Sequence, residues 1–518
     1  MVTRRRLLGA GASAVAAQPL LRADVPDHLW QGYDFGPGPK VTDRLNQGPF
    51  PVEQDGGWRT LSTTTPSAKP ARNFGLGLCG YAWEEGGPSQ AVRAGRQTLE
   101  NHVERMASLP FVDVLYIRCD WRDVQTRPGR LDLNPVWKLT LDAARAHGKR
   151  VAFRVMLSNT AFQPERLAMP DFLAGKVPVV AIGRARDLGG NAEYREPRYD
   201  HPEFLRAFRE LNELLAAQFD GHPQVEFADL MMYGFWGEGH TSDLPAPFAD
   251  YLTAERTTVG MTRLQLQSWK KTPLAVNTQP DISRVGNREV QDMCVREGCW
   301  LRSDSILNIE EPLQIEMLAN RPPWLAAVME DGEHRNYDVN TIPRDAAGIN
   351  EREKAMLHVL DLGANYWSLW TESENLVRYH EQYPRGFSTL QQRIGYRVRP
   401  SWVWQRKRDG ASEVIACIAN DGVSGVPGVL RLSLESRDGT FRMSGGLDAG
   451  QPFGGRIREA SFIVPREIPP QPFKLRAEIE VRGVRRPVQW TCEQPAEADG
   501  SFAFHLQPHN APGWRKGV

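Results

Sequence analysis

VDVLYIRCDWRDVQTRPGRLDLNPVWKLTLDAARAHGKRVAFRVML, residues 112 to 157, reads as strand, helix and strand in turn. Its two ends are short apolar runs, VDVLYIRCD and RVAFRVML, of the kind that parallel strands covered on both faces require. Between them, PVWKLTLDAARAHG repeats its apolar residues at helical spacing. The unit recurs on both sides. Further strand-like runs are NFGLGLCGY (73–81), VEFADLMMYG (225–234), PLAVNT (273–278), CWLRSDSIL (299–307), WLAAVME (324–330) and ANYWSLW (364–370), with amphipathic stretches between them. Eight strands alternating with helices predict an α/β architecture, a (β/α)8 TIM barrel over residues 73–398. The rival, a doubly wound open sheet, lacks its Gly-rich phosphate loop, because GLGLCG falls inside the first strand instead of opening a helix.

Beyond residue 398 the texture changes. EVIACIANDGVSG, VLRLSLES, REASFIVP, KLRAEIEV and SFAFHLQ alternate polar and apolar residues between turn signals, which predicts a C-terminal antiparallel β-sandwich over 399–518. Residues 24–72, rich in Pro, Gly and Thr, read as a lead-in segment on the surface. Residues 1–23 contain TRRRLLGAGASAVAA, a charged start, a short apolar stretch and an Ala14-Val15-Ala16 triplet. Thr3-Arg4-Arg5 before Leu7 and Leu8 predicts a twin-arginine-like export signal and a periplasmic or extracellular location. No run approaches the ~20 apolar residues of a membrane span.

The 518 residues carry 63 basic and 63 acidic side chains, a neutral balance that offers no general field for nucleic acid or anionic membrane. The six cysteines show no zinc-type spacing, and a chain exported after folding has no need of disulfides, so buried free thiols are expected. No cofactor motif is read, and no metal site: the early strands GLGLCGY and YIRCD offer no histidine to a metal-dependent hydrolase.

In a barrel of this kind the strand C-termini form the site. The polar and aromatic residues at those ends are Tyr81, Trp83, Glu84 and Glu85; Arg118, Asp120 and Trp121; Arg154 and Asn159; Tyr233, Trp236, Glu238 and His240. The remaining four strands supply Asn277 and Gln279; Asp304 and Asn308; Glu330, Asp331 and Glu333; Trp367, Trp370, Glu372 and Glu374. Carboxylates mixed with aromatics are what cleavage of a glycosidic bond needs: one acid for the leaving oxygen, one carboxylate across the ring, and flat faces for sugar. Glu238 and Glu330, at the ends of strands four and seven, make the natural pair across the mouth. Glycines on both sides of Glu238 would let the chain turn and present it, although GEG also suits a plain surface turn. Asp331 or Glu333 rivals Glu330 as the inward group, and Arg118 could serve only to neutralise buried carboxylates. The acid is expected to have its pKa raised by burial and by the neighbouring carboxylate. The substrate-binding set comprises Arg118, Trp121, Tyr233, Trp236, His240, Asn277, Asn308, Trp367 and Trp370. The segment 158–200 is expected to wall one side of the cleft.

The run YIRCDWRDVQTRPGRLDLNPVWKLTLDAARAHGKRVAFRV (116–155) resembles the second and third strand units of β-galactosidase-like retaining glycoside hydrolases. With YGFWGEGH (233–240) and IANDGVSGVPG (418–428), the chain resembles the bacterial domain-of-unknown-function family 4832 over roughly residues 73 to 435. The resemblance implies a barrel with an appended sandwich, Glu238 as acid/base and Glu330 as nucleophile. It also implies Arg118 as the support of the nucleophile and Trp370 as the platform under the sugar. One position departs: Gly237 stands where such enzymes usually carry an Asn for the sugar's 2-hydroxyl, so either Asn277 or Asn308 supplies that contact from another strand, or the substrate differs, or hydrolysis has been lost. An exported retaining glycosidase acting on an oligo- or polysaccharide is the reading that follows. A non-catalytic glycan-binding protein on the same scaffold is the alternative.

Overall fold

The computed structural model describes residues 57–84, 89–158, 167–184, 193–241, 244–278, 286–307, 312–332, 339–512 and 514, of which residues 90 and 286–288 are described for their backbone alone. The export signal, most of the lead-in, and Glu85, Asn159, Gln279, Asn308 and Glu333 lie outside the described residues. No helix among the described residues is long and apolar enough to cross a membrane.

Strand β1 (Trp58–Thr63) precedes the barrel strands β2 (Gly77–Trp83), β3 (Val114–Asp120) and β4 (Arg150–Met156). A hairpin of β5 (Val179–Gly183) and β6 (Tyr194–Pro197) follows. Then come β7 (Val225–Asp229), β8 (Leu274–Asn277), β9 (Trp300–Arg302), β10 (Ala327–Glu330) and β11 (Tyr366–Leu369). The eight strands β2, β3, β4, β7, β8, β9, β10 and β11 close in that order into a parallel barrel, with β11 pairing back to β2. All eight runs singled out in the sequence are its strands. Helices between them start where local chemistry dictates. Pro135 follows an Asn134 cap, Pro202 follows His201, and Asn350 with Glu353 forms a reciprocal capping box on helix Glu351–Asp361.

Side-chain alternation sorts each strand. On β3, Val114 and Tyr116 join the interior cluster while Leu115, Ile117 and Cys119 join the layer under the helices. On β11, Tyr366 faces in and Trp367 and Leu369 face out. The same parity carries Arg118, Arg154, Arg302, Glu330 and Ser368 into the upper barrel.

Two antiparallel sheets follow. One has the order β1, β12 (Val398–Arg408), β13 (Ala411–Asn420), β16 (Ile457–Pro465). The other runs β15 (Arg442–Gly446), β14 (Val429–Ser436), β17 (Pro472–Val481), β18 (Val484–Val488), with β19 (Phe502–His505) on β17. Val403, Val414 and Ile418 of the first share a core with Leu432, Leu475 and Ile479 of the second, as a sandwich requires. The lead-in therefore does more than cover the surface: it supplies an edge strand, Trp58–Thr63, hydrogen-bonded to β12.

The sandwich packs on the end of the barrel where the strands begin. The Tyr396 hydroxyl donates to Phe74 O at 2.7 Å, Asn73 exchanges two hydrogen bonds with Gln489, and Arg482 Nη2 donates to Trp269 O at 2.6 Å. The strand C-termini lie at the opposite end. All six cysteines are free, five of them buried and Cys492 half-buried.

Candidate functional site

Arg118, on β3, reaches both carboxylates that the sequence paired. Its Nη2 donates to Glu238 Oε1 at 3.1 Å and to Glu330 Oε2 at 2.8 Å. Contacts this short to one nitrogen keep the two oxygens within about 6 Å of each other. Glu238 and Glu330 are each 2 % exposed. Two further guanidiniums complete the frame. Arg154 Nη1 donates to Glu238 Oε1 at 2.6 Å, and Arg302 holds Glu330 Oε2 through Nε at 3.0 Å and through Nη2. Beneath them Asp229 Oδ2 accepts from the Tyr116 hydroxyl at 2.5 Å and from Arg154 Nε at 3.0 Å, with Arg302 Nε 3.4 Å away. Arg302 Nη2 also donates to the Tyr81 hydroxyl at 3.0 Å and lies 3.3 Å from Ser368 Oγ. Three arginines thus face three carboxylates in a buried cage, where unpaired charge would be costly.

The loop carrying Glu238 is shaped by residues in left-handed or glycine-only conformations: Gly234 (φ 79°), Trp236 (φ 55°), Gly237 (φ 73°) and Gly239 (φ 81°). Phe235 N donates to His240 O at 2.7 Å, closing the loop on itself. At Gly237 an added Cβ would stand 3.4 Å from Arg154 Cδ, in a left-handed backbone that most side chains adopt only at a cost. Ile182 and Tyr194 of the β5–β6 hairpin pack with Phe235 and the half-buried Trp236. The hairpin that the segment 158–200 contributes therefore abuts this loop.

His240 lies between two carboxylates. Its Nε2 is 3.3 Å from Glu238 Oε2 and 3.7 Å from Asp304 Oδ2. Burial disfavours a charged imidazole, but Asp304 and Glu238 outweigh it and raise His240 to about 10. Burial and the Glu238 charge push Asp304 up to about 6, against His240. Glu238 departs from expectation in the opposite direction. Burial raises its pKa, yet Arg118, Arg154 and His240 prevail and hold the carboxyl well below the usual carboxylate range. The raised acid expected from the sequence is thus replaced by an ionised one, because two guanidiniums and an imidazolium outweigh burial and the neighbouring carboxylates Glu330 and Asp304.

One atom each of Glu238, His240 and Asp304 lies within 4.8 Å of the others, a spacing that a cation could bridge. A proton suits the cluster better: Glu238 Oε1 already accepts from Arg118 and Arg154, and an imidazole held protonated offers a donor, not a lone pair, to its neighbours.

Other residues fall elsewhere. Trp121 is fully buried edge-on to Phe204, its indole N–H donating to Gln125 Oε1 at 2.8 Å. Trp367 packs against Tyr379 and Phe387 behind the barrel wall, and Tyr233 against Tyr199 and Phe248. These three serve packing rather than the mouth, since they sit on the outward parity or behind the Glu238 loop. Trp367→Ala should accordingly cost about 3–5 kcal/mol, with the KM of the folded fraction unchanged; thermal melts and kinetics on one preparation check it. Trp370 is half-buried, two positions beyond Ser368 and on its parity. Asn277 is buried at the end of β8 with its register partner Arg302. Asp331 turns away from Glu330, 3.6 Å from Arg352 on helix Glu351–Asp361, and Glu374 is bound by Arg105. Arg302 and Asp229 were not foreseen, although a charge on the inward parity of an apolar strand is a readable signal.

No family model matches this sequence, and no curated protein is significantly similar to it. Among solved structures it is similar to the catalytic domain of β-amylase from Paenibacillus polymyxa, at 9 % identity and TM-score 0.38 over 62 % of this chain and 97 % of that one. It is also similar to endo-glycoceramidase II from Rhodococcus sp., at 14 % identity and TM-score 0.35 over 75 % and 97 %. An exo-β-1,4-mannosidase from Opitutaceae bacterium strain TAV5 shows 13 % identity and TM-score 0.36 over 61 % and 59 %. At such scores the roles of residues rest on the geometry of this site.

Proposed function

We propose that the chain is an exported glycoside hydrolase of the retaining type, acting on an oligo- or polysaccharide, with Glu330 as nucleophile and Glu238 as acid/base. The observation that supports this most is the single Arg118 nitrogen touching both carboxylates, 3.1 and 2.8 Å away. One oxygen of each carboxylate is therefore within about 6 Å of the other, near enough to act on one anomeric carbon and compatible with the ~5–5.5 Å between the carboxyl groups of retaining pairs. Arg118 and Arg302 both donate to Glu330 Oε2, fixing the group that would attack the anomeric carbon, and would steady charge as the glycosyl ester forms and breaks. Trp236 and Trp370 are the aromatic faces available to sugar, and Asn277 the amide for a hydroxyl. Export rests on the twin-arginine-like start, and the kinship with family 4832 on the three segments quoted for it.

The test is release of nitrophenol from a panel of aryl glycosides by the wild type, Glu238→Gln and Glu330→Gln. Wild-type release, lowered at least ~10³-fold in Glu330→Gln, is expected. Release that survives in Glu330→Gln would remove it from the nucleophile's role. A second reading, a glycan-binding protein without catalysis, is favoured by the ionised state of Glu238, which leaves that carboxyl no proton to give at rest. It predicts no release from any glycoside, with glycan affinity intact in both variants.

A further inference from the structure

The proposed acid is held without its proton, so the proton must come from another group. We infer that His240, seated between Glu238 and Asp304, stores the proton that the leaving group takes and hands it on through Glu238 Oε2. The inference rests on the glycosidase reading above and deepens it.

The two oxygens of Glu238 are used differently. Oε1 faces Arg118 and Arg154; Oε2 faces His240 Nε2 at 3.3 Å. Only the second has a proton within reach. Asp304 Oδ2 lies 3.7 Å from the same nitrogen, on the segment following β9, and helps to hold the imidazole charged. Charged and titratable groups face His240 from three directions: Glu238 on its own loop, Asp304 after β9, and, acting electrostatically on those two, Arg118, Arg154 and Glu330 from β3, β4 and β10. The ring is fixed by the loop closure at its own carbonyl and by Trp236, whose ring centroid is 5.5 Å away. His240 and Asp304 are positioning residues: they act through Glu238 and do not meet the sugar.

The steps balance. A Glu330 oxygen forms a bond to the anomeric carbon as the bond to the leaving oxygen breaks. The departing electron pair takes a proton from Glu238 Oε2, which takes one from His240 Nε2. The glycosyl ester then stands opposite an ionised Glu238 and a neutral His240. Water attacks the anomeric carbon, its proton passes to Glu238 and on to His240, and Glu330 leaves as carboxylate. The net reaction is hydrolysis with both groups restored.

A proton supply matters in proportion to the basicity of the leaving group, which separates this role from a structural one. The experiment compares dinitrophenyl and methyl glycosides of the sugar that the wild type cleaves, using wild type, His240→Gln and Asp304→Asn. His240→Gln should lose at least ~100-fold in kcat/KM on the methyl glycoside and less than tenfold on the dinitrophenyl one. The wild type's alkaline limb should lie near pH 10, where the imidazolium loses its proton, and Asp304→Asn should bring it down by about 1–3 pH units as one anion is removed. Equal losses on both glycosides, or an unmoved limb in Asp304→Asn, would overturn the inference. So would activity that chelator abolishes and Zn²⁺ restores, since the three side chains would then be holding a metal. If the wild type cleaves no glycoside at all, it is the glycosidase reading that has failed.

Discussion

Arg302→Ala should cost about 3–5 kcal/mol of stability. The side chain is fully buried and touches Glu330 through two nitrogens, Asp229 through one, and the Tyr81 hydroxyl. Removing it leaves Glu330 with Arg118 alone and Asp229 with Arg154, both carboxylates still out of water. That loss is a large fraction of the ~5–15 kcal/mol that holds a folded domain together. Arg302→Lys should recover little, because an ammonium cannot reproduce the paired Nε and Nη2 contacts of a planar guanidinium. Adding Glu330→Gln to Arg302→Ala should recover part of the loss, since an uncompensated charge is then gone. Denaturant midpoints of the four proteins test this; a loss under ~1 kcal/mol for Arg302→Ala would mean that water reaches the cage.

Gly234→Ala should lower kcat by about 100-fold or more, the scale that a displacement near 1 Å brings. Gly234 adopts φ 79°, ψ −170°, a region open to glycine almost alone. A Cβ there would lie 2.0 Å from His240 O, a backbone atom already fixed by the Phe235 amide. The loop must open at that point, and it carries Glu238 and His240 together. Gly129→Ala is the control: its φ of 82° is also positive, yet nothing lies within 4 Å of the new methyl. Comparable kinetics for the two variants would show that the loop absorbs the clash.

Most of the barrel was legible because parallel strands buried on both faces announce themselves as apolar runs, and VLYIRCD or RVAFRVM has few other readings. The site was legible in its outline, with Glu238, His240, Arg118 and Glu330 brought into one cluster. Two kinds of information were missing. Nearness to a strand's end was taken as facing the mouth, so Trp367 and Trp121 were included; the alternation of Tyr366, Ser368 and Trp370 would have set Trp367 aside. The protonation of Glu238 could not be read, because it depends on how many guanidiniums converge on one oxygen. Arg118, Arg154 and Arg302 come from strands scattered over nearly two hundred residues. Strand β1 was hidden for a related reason: WRTLST carries no turn signal, and its partner β12 lies some 340 residues further on.

That pairing makes the chain circular in an architectural sense. The first described strand and the last hundred or so residues build one unit, and the entire barrel is threaded between them as an insertion. A ribosome delivers the barrel before it delivers the partner of β1, so the sandwich is the last part to close. A truncation at residue 398 would do two kinds of damage at once: it would expose the barrel floor at Phe74 and Tyr396, and strand β1 would lose its neighbour. Conversely, residues 399–518 expressed alone would present a bare sheet edge along β12, an invitation to self-association. Dissecting this molecule calls for a permuted gene in which Trp58–Thr63 follows the sandwich, rather than for a cut between its two halves.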